Sequence, residues 1–332
     1  MMTEVALLFP GQGSQHVRMA AGLYGHDAVF TDAVDEVFAA LGPDGPAVRS
    51  DWLTDSPAVP LDHVTRSQIL LFTVGHALGR MILSWGVQPA ALLGHSVGEV
   101  AAATLAGVFE VPAAAELMWQ RVQELASAPA GGMLAVAATV EDVTPVLTDD
   151  VVIGAINAPR QLILSGPEAP LAGAAEKLRA DGRMCLPVPA TSAFHSPSLA
   201  EAAARCLPSV AAAQPSPPKI PMVSGYTGRV LTDAEATDPA YWASHPVEPV
   251  RFWPAVGTLL GPDSPLPVDG RRVLVETGPS QLLAKAARLH PVVRAKEASV
   301  LAMLPARAGG PDADLAAVAA CREALEAAGS CG

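Results

Sequence analysis

The sequence predicts an α/β protein with two lobes, a large domain built on a parallel sheet and a small domain inserted into it. Apolar runs of strand length alternate with segments of helical spacing over much of the chain. Between residues 131 and 191 the rhythm changes to shorter elements, which marks the insertion. The length of 332 residues also exceeds the roughly 250 to 300 at which single cores stop growing.

The large domain begins with a strand that delivers a loop to one edge of the sheet. Residues 5–9 are a short apolar run that stops at Pro10-Gly11-Gln12-Gly13-Ser14, which is typical of a buried strand followed by a loop. The next elements are predicted as a helix over residues 67–85, a strand over 90–94 and, after a turn at Ser96, a helix over 99–105. Strand, sharp turn, helix is the order of α/β folds.

The small domain is predicted at residues 131–191. Its elements are strand 133–138, helix 140–147, strand 151–156, strand 161–165, helix 170–180 and strand 185–189. This βαββαβ order is the split ferredoxin-like unit, which closes its own sheet under two helices. The large domain is then residues 1–130 with 192–332, where residues 273–276 form a late strand of the main sheet and the C-terminal residues form a helix with a frayed tail.

The composition, charge and apolar patterning exclude some classes of function. Hydrophobic residues make up 50% of the chain and charged residues 16%, which favours a large buried core. The net charge of −12 argues against nucleic-acid binding. The N-terminal residues lack a signal-peptide pattern, and the apolar stretches are broken before the ~18 to 20 residues of a membrane span, so we expect a cytoplasmic protein without a membrane anchor. The cysteines show no metal-like spacing, so no metal is expected and we expect free thiols: Cys185, Cys206, Cys321 and Cys331.

The segment Gly94-His95-Ser96-Val97-Gly98 fits the G-x-S-x-G nucleophile elbow. The glycines leave room where backbone and side chains crowd the serine. Ser96 then stands at a helix N-terminus, where free N–H groups and the helix dipole favour the negative charge of a tetrahedral intermediate. The sequence therefore predicts a serine nucleophile.

A serine hydroxyl requires a general base, and the histidines are the candidates. His195 follows Ala193-Phe194, where the inserted domain returns the chain to the large domain and where cleft residues collect. His95 adjoins Ser96 but is expected to point away as a packed, hydrogen-bonded histidine. We therefore predict that His195 is the base.

Three segments together resemble a known family. Phe9-Pro10-Gly11-Gln12-Gly13-Ser14-Gln15, Gly94-His95-Ser96-Val97-Gly98-Glu99 and Ala193-Phe194-His195-Ser196-Pro197 are similar, in this order, to the signatures of malonyl-CoA:acyl-carrier-protein transacylases and polyketide-synthase acyltransferase domains. Trp242, Pro249-Val250-Arg251-Phe252 and Glu276-Thr277-Gly278-Pro279 fall where that family has similar segments. The resemblance covers nearly the whole chain and implies an α/β-hydrolase-like large domain.

The resemblance also implies roles for the site residues. Ser96 is the nucleophile and His195 its base, with a backbone carbonyl rather than an Asp orienting the imidazole. The backbone N–H groups of Gln12 and Val97 form the oxyanion hole.

Two further positions bear on the acyl group. Arg121 matches the family arginine that holds the free carboxylate of a malonyl group, a task that suits the forked guanidinium. Phe194 occupies the place where malonyl-selective relatives carry phenylalanine, a ring that crowds an α-methyl branch. The sequence departs from the family pattern at Thr65-Arg66-Ser67-Gln68-Ile69, Ser192, Tyr226 and Trp253. These departures leave the catalytic set intact.

The implied reaction is a ping-pong acyl transfer, in which Ser96 takes an acyl group, most simply malonyl from malonyl-CoA, and passes it to the phosphopantetheine thiol of an acyl carrier protein. No cofactor is expected beyond the arm that the substrates carry, and we expect a monomer. Three alternatives stay open: a shuttle that moves a larger starter or aminoacyl unit between two carrier proteins, an editing thioesterase, and an inactive scaffold. Arg121 favours the malonyl transferase over the shuttle and the thioesterase.

Overall fold

The computed structural model describes residues 3–262, 264–266 and 270–330. The strands are β1 (Thr3–Phe9), β2 (Ala91–Gly94), β3 (Gly132–Val136), β4 (Val152–Ala158), β5 (Gln161–Gly166), β6 (Cys185–Val188), β7 (Met222–Val223), β8 (Arg271–Glu276) and β9 (Ala298–Ala302). The helices are α1 (Ala28–Ala40), α2 (Gly45–Leu53), α3 (Val64–Ser84), α4 (Gly98–Leu105), α5 (Val111–Ala126), α6 (Val140–Val143), α7 (Glu168–Ala180), α8 (Ala200–Ala212), α9 (Asp233–Ala236), α10 (Pro239–Ser244), α11 (Phe252–Leu260), α12 (Leu282–Ala287), α13 (Pro291–Arg294) and α14 (Pro311–Ala327).

The larger sheet is parallel and has the strand order β7-β2-β1-β8-β9. Its central strand β1 is apolar along its length because both faces are covered. Leu7 and Phe9 face a core that includes α1, α3, α4 and α5, whereas Ala6 and Leu8 face a second core with α11 and α12. The predicted strands 5–9 and 90–94 are therefore present, as β1 and β2.

The ends of β1 and β2 are aligned, since Phe9 pairs with Gly94. The carboxyl ends of parallel strands meet at one edge of a sheet, so the loop after Phe9 and the turn after Gly94 lie side by side. The amide of His95 donates a hydrogen bond to the carbonyl of Phe9 at 2.9 Å. This edge carries the candidate site.

The smaller sheet is antiparallel and has the order β4-β5-β3-β6. Its strands and helices follow the predicted βαββαβ sequence of elements. The prediction of one helix over residues 140–147 is wrong, because α6 ends at Val143 and a 3₁₀ turn, Thr144–Val146, follows it. Pro145 has no N–H with which to continue the α-helical bonds.

The smaller sheet is hydrogen-bonded through β4 to the segment that precedes α11. Val250 donates its amide proton to the carbonyl of Gly154 at 2.8 Å and accepts from the amide of Ile156 at 2.8 Å. Ala155, between them, is buried in the core that lies under the larger sheet. The domain boundaries at residues 131 and 191 stay a prediction.

The predicted late strand at residues 273–276 is present as β8, which begins at Arg271 and lies between β1 and β9. No helix among the described residues is long and apolar enough to cross a membrane. Cys185 and Cys206 are buried free thiols, Cys321 is buried, and Cys331 lies outside the described residues.

Candidate active site

Ser96 lies in the sharp turn between β2 and α4, with a left-handed φ of 54°. Non-glycine residues rarely adopt this conformation, and it is typical of the strained nucleophile elbow. The flanking glycines are required because there is no room for a side chain. A Cβ at Gly94 would lie 2.1 Å from Glu99 Cα, and a Cβ at Gly98 would lie 2.1 Å from the carbonyl oxygen of Phe9. The turn therefore holds the Ser96 hydroxyl at the edge of the sheet.

The hydroxyl of Ser96 lies 2.8 Å from His195 Nε2, although 99 residues separate the two in the chain. His195 also has a left-handed φ, 62°, and its amide donates to the Pro246 carbonyl at 2.7 Å. Its Nδ1 lies 2.9 Å from the carbonyl oxygen of Glu248 and 3.1 Å from that of His245. Because carbonyls only accept, Nδ1 carries the proton and Nε2 is free to accept the serine proton.

Burial, with smaller contributions from the nearby His95 and Arg121, lowers the pKa of His195 to about 3, although the carbonyls of Glu248 and His245 act to raise it. The imidazole is therefore neutral near pH 7, which is the state that a general base requires. His95 is partly buried, and its Nε2 lies 2.8 Å from the side-chain oxygen of Asn157, as expected for a packed, hydrogen-bonded histidine.

The two predicted oxyanion-hole amides lie in the adjacent connections. Val97 directly precedes α4, so its N–H belongs to the unpaired first turn of that helix. Gln12 lies in the loop after β1, where its side-chain oxygen accepts from Gln68 Nε2 at 3.3 Å. Neither backbone N–H donates to another described residue. Both are therefore available for an anionic ligand atom.

Arg121 projects from α5 into this site and is only 4% exposed. Among the described residues it has no ion pair, and its Nε has no hydrogen-bond partner. Its charge lowers the pKa of His195, His245 and Tyr226, so the guanidinium lies among these side chains. An unpaired buried cation is costly unless a ligand supplies the anion.

Phe194, next to His195, is buried in a small apolar cluster with Val64 of α3, Leu125 of α5 and Leu199. These contacts hold the ring of this residue, which directly precedes His195 in the chain. The structure thus brings together Ser96, His195, Arg121 and Phe194, and places the loops of Gln12 and Val97 at the same edge.

The sequence reasoning missed a buried carboxyl behind the elbow. Glu99 is fully buried, and its side chain accepts from the amide of Gly225 at 2.7 Å and from the hydroxyl of Tyr241 at 2.6 Å. Burial raises the pKa of Glu99 to about 7, against these hydrogen bonds, which lower it. Glu99 therefore ties the loop after β7 to the elbow. Its signal in the sequence is that it is the one charged residue of α4.

The departures from the family pattern have separate explanations. Arg66 forms a buried ion pair with Asp51 at 2.8 Å. Ser192 is buried and its carbonyl accepts from the amide of Phe194. Trp253 lies on α11 with its ring 5.4 Å from that of His290. Tyr226 is different, because its ring lies 6.0 Å from that of His195, inside the site.

A buried serine–histidine pair at the carboxyl edge of a parallel sheet, in an α/β-hydrolase-like fold, defines a class of enzymes built for acyl chemistry at a serine. The family model described as "Acyl transferase domain" matches residues 6–323. The chain belongs to this family and is an acyltransferase, which confirms the resemblance inferred from the three motifs.

This chain is similar to one part of a much longer protein. A phenolphthiocerol/phthiocerol polyketide synthase of Mycobacterium tuberculosis (strain CDC 1551 / Oshkosh) is 34% identical over 288 residues, which is 87% of this chain and 19% of that protein. The chain thus spans about a fifth of the length of this relative.

Two solved structures are similar throughout. The acyltransferase domain of SpnD, in complex with 2-(pent-4-yn-1-yl)malonyl, has a TM-score of 0.87 and 32% identity over 98% of this chain and 77% of that one. An acyl carrier protein S-malonyltransferase from Vibrio cholerae O1 biovar eltor has a TM-score of 0.74 and 26% identity over 90% of this chain and 96% of that one.

Proposed function

We propose that this acyltransferase takes malonyl from malonyl-CoA onto Ser96 and delivers it to the phosphopantetheine thiol of an acyl carrier protein. The observation that carries the proposal is Arg121, a buried guanidinium without an ion pair among the described residues, in the same site as Ser96 and His195. A malonyl group ends in a carboxylate that pairs with such a guanidinium in bidentate geometry. An acyl group without a carboxylate leaves this charge buried and uncompensated.

In the first half-reaction the Ser96 oxygen attacks the thioester carbonyl carbon while His195 Nε2 takes the hydroxyl proton. The 2.8 Å distance between these atoms is within the range for direct proton transfer. The negative charge on the former carbonyl oxygen is stabilised by the amides of Gln12 and Val97. When the C–S bond breaks, His195 returns the proton to the departing CoA sulfur and the malonyl group remains as an ester on Ser96.

The second half-reaction is the same sequence in reverse. The thiol of the carrier-bound arm gives its proton to His195 and attacks the ester carbonyl, and the C–O bond to Ser96 breaks. His195 then protonates the serine oxygen. Each half-reaction exchanges a thioester and an ester, so the reaction needs no further cofactor.

Two comparisons support the choice of acyl group and acceptor. The SpnD domain was solved with a substituted malonyl group, and the Vibrio cholerae protein is an acyl carrier protein S-malonyltransferase. Both share the fold over at least 90% of this chain.

The test is the intact mass of the protein after incubation with malonyl-CoA. We expect a gain of one malonyl group in the parent protein, no gain in Ser96→Ala, and a rate of acylation roughly 10²-fold lower in Arg121→Ala, because the carboxylate loses its charged partner. Arg322→Ala is the matched control, since Arg322 is half exposed on α14 and its only ion pair among the described residues is with Glu326. It should acylate at the parental rate.

Two other results would contradict the proposed malonyl transfer. If malonyl-CoA leaves no adduct and a carrier-bound aminoacyl or larger starter group does, the protein is a carrier-to-carrier shuttle. If free malonate accumulates at the transfer rate without a carrier protein, it is a thioesterase.

A further inference from the structure

Tyr226 is the departure from the family pattern that lies inside the site. It follows Gly225 in the loop after β7 and is 3% exposed. Its ring stacks on the His245 imidazole with 3.8 Å between centroids and 19° between planes. The ring of His195 lies 6.0 Å away on another side. The phenol is therefore part of the wall around the reacting groups.

The hydroxyl of Tyr226 is buried and has no hydrogen-bond partner among the described residues. Burial raises the pKa of this hydroxyl, while the charge of Arg121 and side-chain contacts with Ser96 and Arg121 lower it. The hydroxyl thus lies beside both the nucleophile and the guanidinium, without the geometry of a hydrogen bond to either. A buried hydroxyl without a hydrogen-bond partner is unfavourable, so we expect an atom of the ligand to accept a hydrogen bond from it.

The chain has three tyrosines, and the other two are satisfied. Tyr24 donates to Asp35 at 2.7 Å, and Tyr241 donates to Glu99 at 2.6 Å. The backbone of Tyr226 is fixed by two hydrogen bonds, since its amide donates to Ser224 Oγ at 3.0 Å and its carbonyl accepts from Arg251. The hydroxyl of Tyr226 therefore stays pointed into the site.

The acyl group offers two kinds of acceptor. The carbonyl oxygen that becomes the oxyanion is directed to the amides of Gln12 and Val97. The free carboxylate of a malonyl group has two oxygens with about four acceptor positions, and a guanidinium fork fills two of them. A neutral phenol next to the guanidinium is placed to donate to a third.

We infer that Tyr226 is a second carboxylate-binding residue of the acyl site: its hydroxyl donates a hydrogen bond to the acyl carboxylate that Arg121 holds. The inference rests on the proposed function, since it requires an acyl group with a free carboxylate. It makes Tyr226 a specificity-determining residue that favours malonyl over acyl groups of similar size without a charge.

The test compares Tyr226→Phe with the parent protein in single-turnover acylation by malonyl-CoA and by acetyl-CoA. Phenylalanine keeps the ring on His245 and removes only the hydroxyl. We expect the second-order rate for malonyl-CoA to fall about 10- to 100-fold, as for a hydrogen bond to a charged group. The rate for acetyl-CoA should stay within about twofold, because acetyl presents no carboxylate. Tyr24→Phe is the matched control and should change neither rate.

A second readout is inhibition by free malonate, whose inhibition constant should rise in Tyr226→Phe by a similar factor and stay unchanged in Tyr24→Phe. Equal losses with both thioesters, or no loss with either, overturn the inference while leaving the malonyl transferase in place. If the parent protein itself is not acylated by malonyl-CoA, the proposed function fails and this inference fails with it. The parent protein alone thus separates the two failures.

Discussion

The carboxyl edge of the larger sheet and the smaller sheet are built in opposite ways. The edge holds Ser96 and His195 in left-handed backbone conformations. It also buries the Arg121 guanidinium, which has no ion pair with any described residue, and the Tyr226 hydroxyl, which has no hydrogen-bond partner among them. In the smaller sheet no non-glycine residue between 132 and 188, all of them described, has a positive φ. Its interior is an apolar cluster that includes Leu134, Leu162 and Leu164.

The described non-glycine residues with a positive φ lie outside the smaller sheet, at Ser96 and His195 and also at Arg18, Ala20, Gln214, Ser280, Gln281 and Lys296. Each left-handed non-glycine residue costs on the order of 1–3 kcal/mol and persists only if its surroundings hold it. At His195 the surroundings are the carbonyls of Pro246 and Glu248, and at Ser96 they are the tight packing of Gly94 and Gly98. The smaller sheet supplies shape and reaches the site through Asn157, which contacts His95.

Replacement of Ser96 tests the strained edge most directly. Ser96→Ala and Ser96→Gly should each lower the acylation rate by roughly 10³-fold or more, because both lack the hydroxyl that we propose as the nucleophile. Their stabilities should differ, since glycine adopts a φ of 54° freely and alanine does not. We expect the glycine variant to unfold with a free energy about 1 kcal/mol higher than the alanine variant. Thermal or urea unfolding of the pair measures this.

Equal stability of the two Ser96 variants would show that the turn relaxes when the serine is lost. The strain would then belong to the serine contacts with His195 rather than to the backbone path. The backbone at Ser96 would then be no evidence that the carboxyl edge of the larger sheet is more strained than the smaller sheet.

The smaller sheet is tested by Leu164→Ala in β5. Leu164 is fully buried at the centre of its cluster, so the truncation should lower the free energy of unfolding by about 2–5 kcal/mol. Leu186→Ala in β6 is the matched control, because Leu186 is 60% exposed and its loss should cost no more than about 0.5 kcal/mol. Urea unfolding gives both values.

The acylation rate of folded Leu164→Ala should stay within severalfold of the parent, because the apolar cluster of Leu164 is separate from the one that holds Phe194 beside His195. A loss as large as that of Arg121→Ala would mean that the smaller sheet shapes the acyl site itself. The division of labour between the two regions would then be wrong.

Local patterns explain how much of the fold could be predicted. The strands β1 and β2 and the elbow between β2 and α4 follow from short apolar runs that end at glycine, proline or serine. The order of elements over 132–188 follows from the same signals. The central place of β8 and the existence of β9 were not predicted, because strand order depends on contacts between distant segments.

The site shows the same limit. Ser96, His195 and Arg121 could be selected because a motif or a resemblance identifies each one, and their roles stay predictions. The network of Glu99 could not, since its partners Gly225 and Tyr241 lie 126 and 142 residues further along the chain. Tyr226 was visible as an unusual residue, but only the structure shows that its hydroxyl is buried beside Arg121.

Glu99 is a buried titratable group at this edge, and it links α4 to the loop after β7 and to α10. Its pKa is raised from an ordinary value of 4.5 to about 7, mainly by burial. Between these two pH values the folded protein keeps the Glu99 proton while the unfolded chain loses it. The contribution of Glu99 to stability is therefore fully present below about pH 4.5 and is lost as the pH rises to about 7.

Glu99→Gln removes this titration while preserving the shape of the protonated carboxyl. The difference in unfolding free energy between the variant and the parent should move in favour of the variant by on the order of 2–3 kcal/mol between pH 5 and pH 8. Urea unfolding at both pH values measures it, with the exposed Glu323→Gln on α14 as control. A difference that stays constant with pH would mean that Glu99 is ionised in the fold, with charge-assisted bonds from Tyr241 and Gly225. The edge would then contain a buried anion that the Tyr241 hydroxyl and the Gly225 amide stabilise.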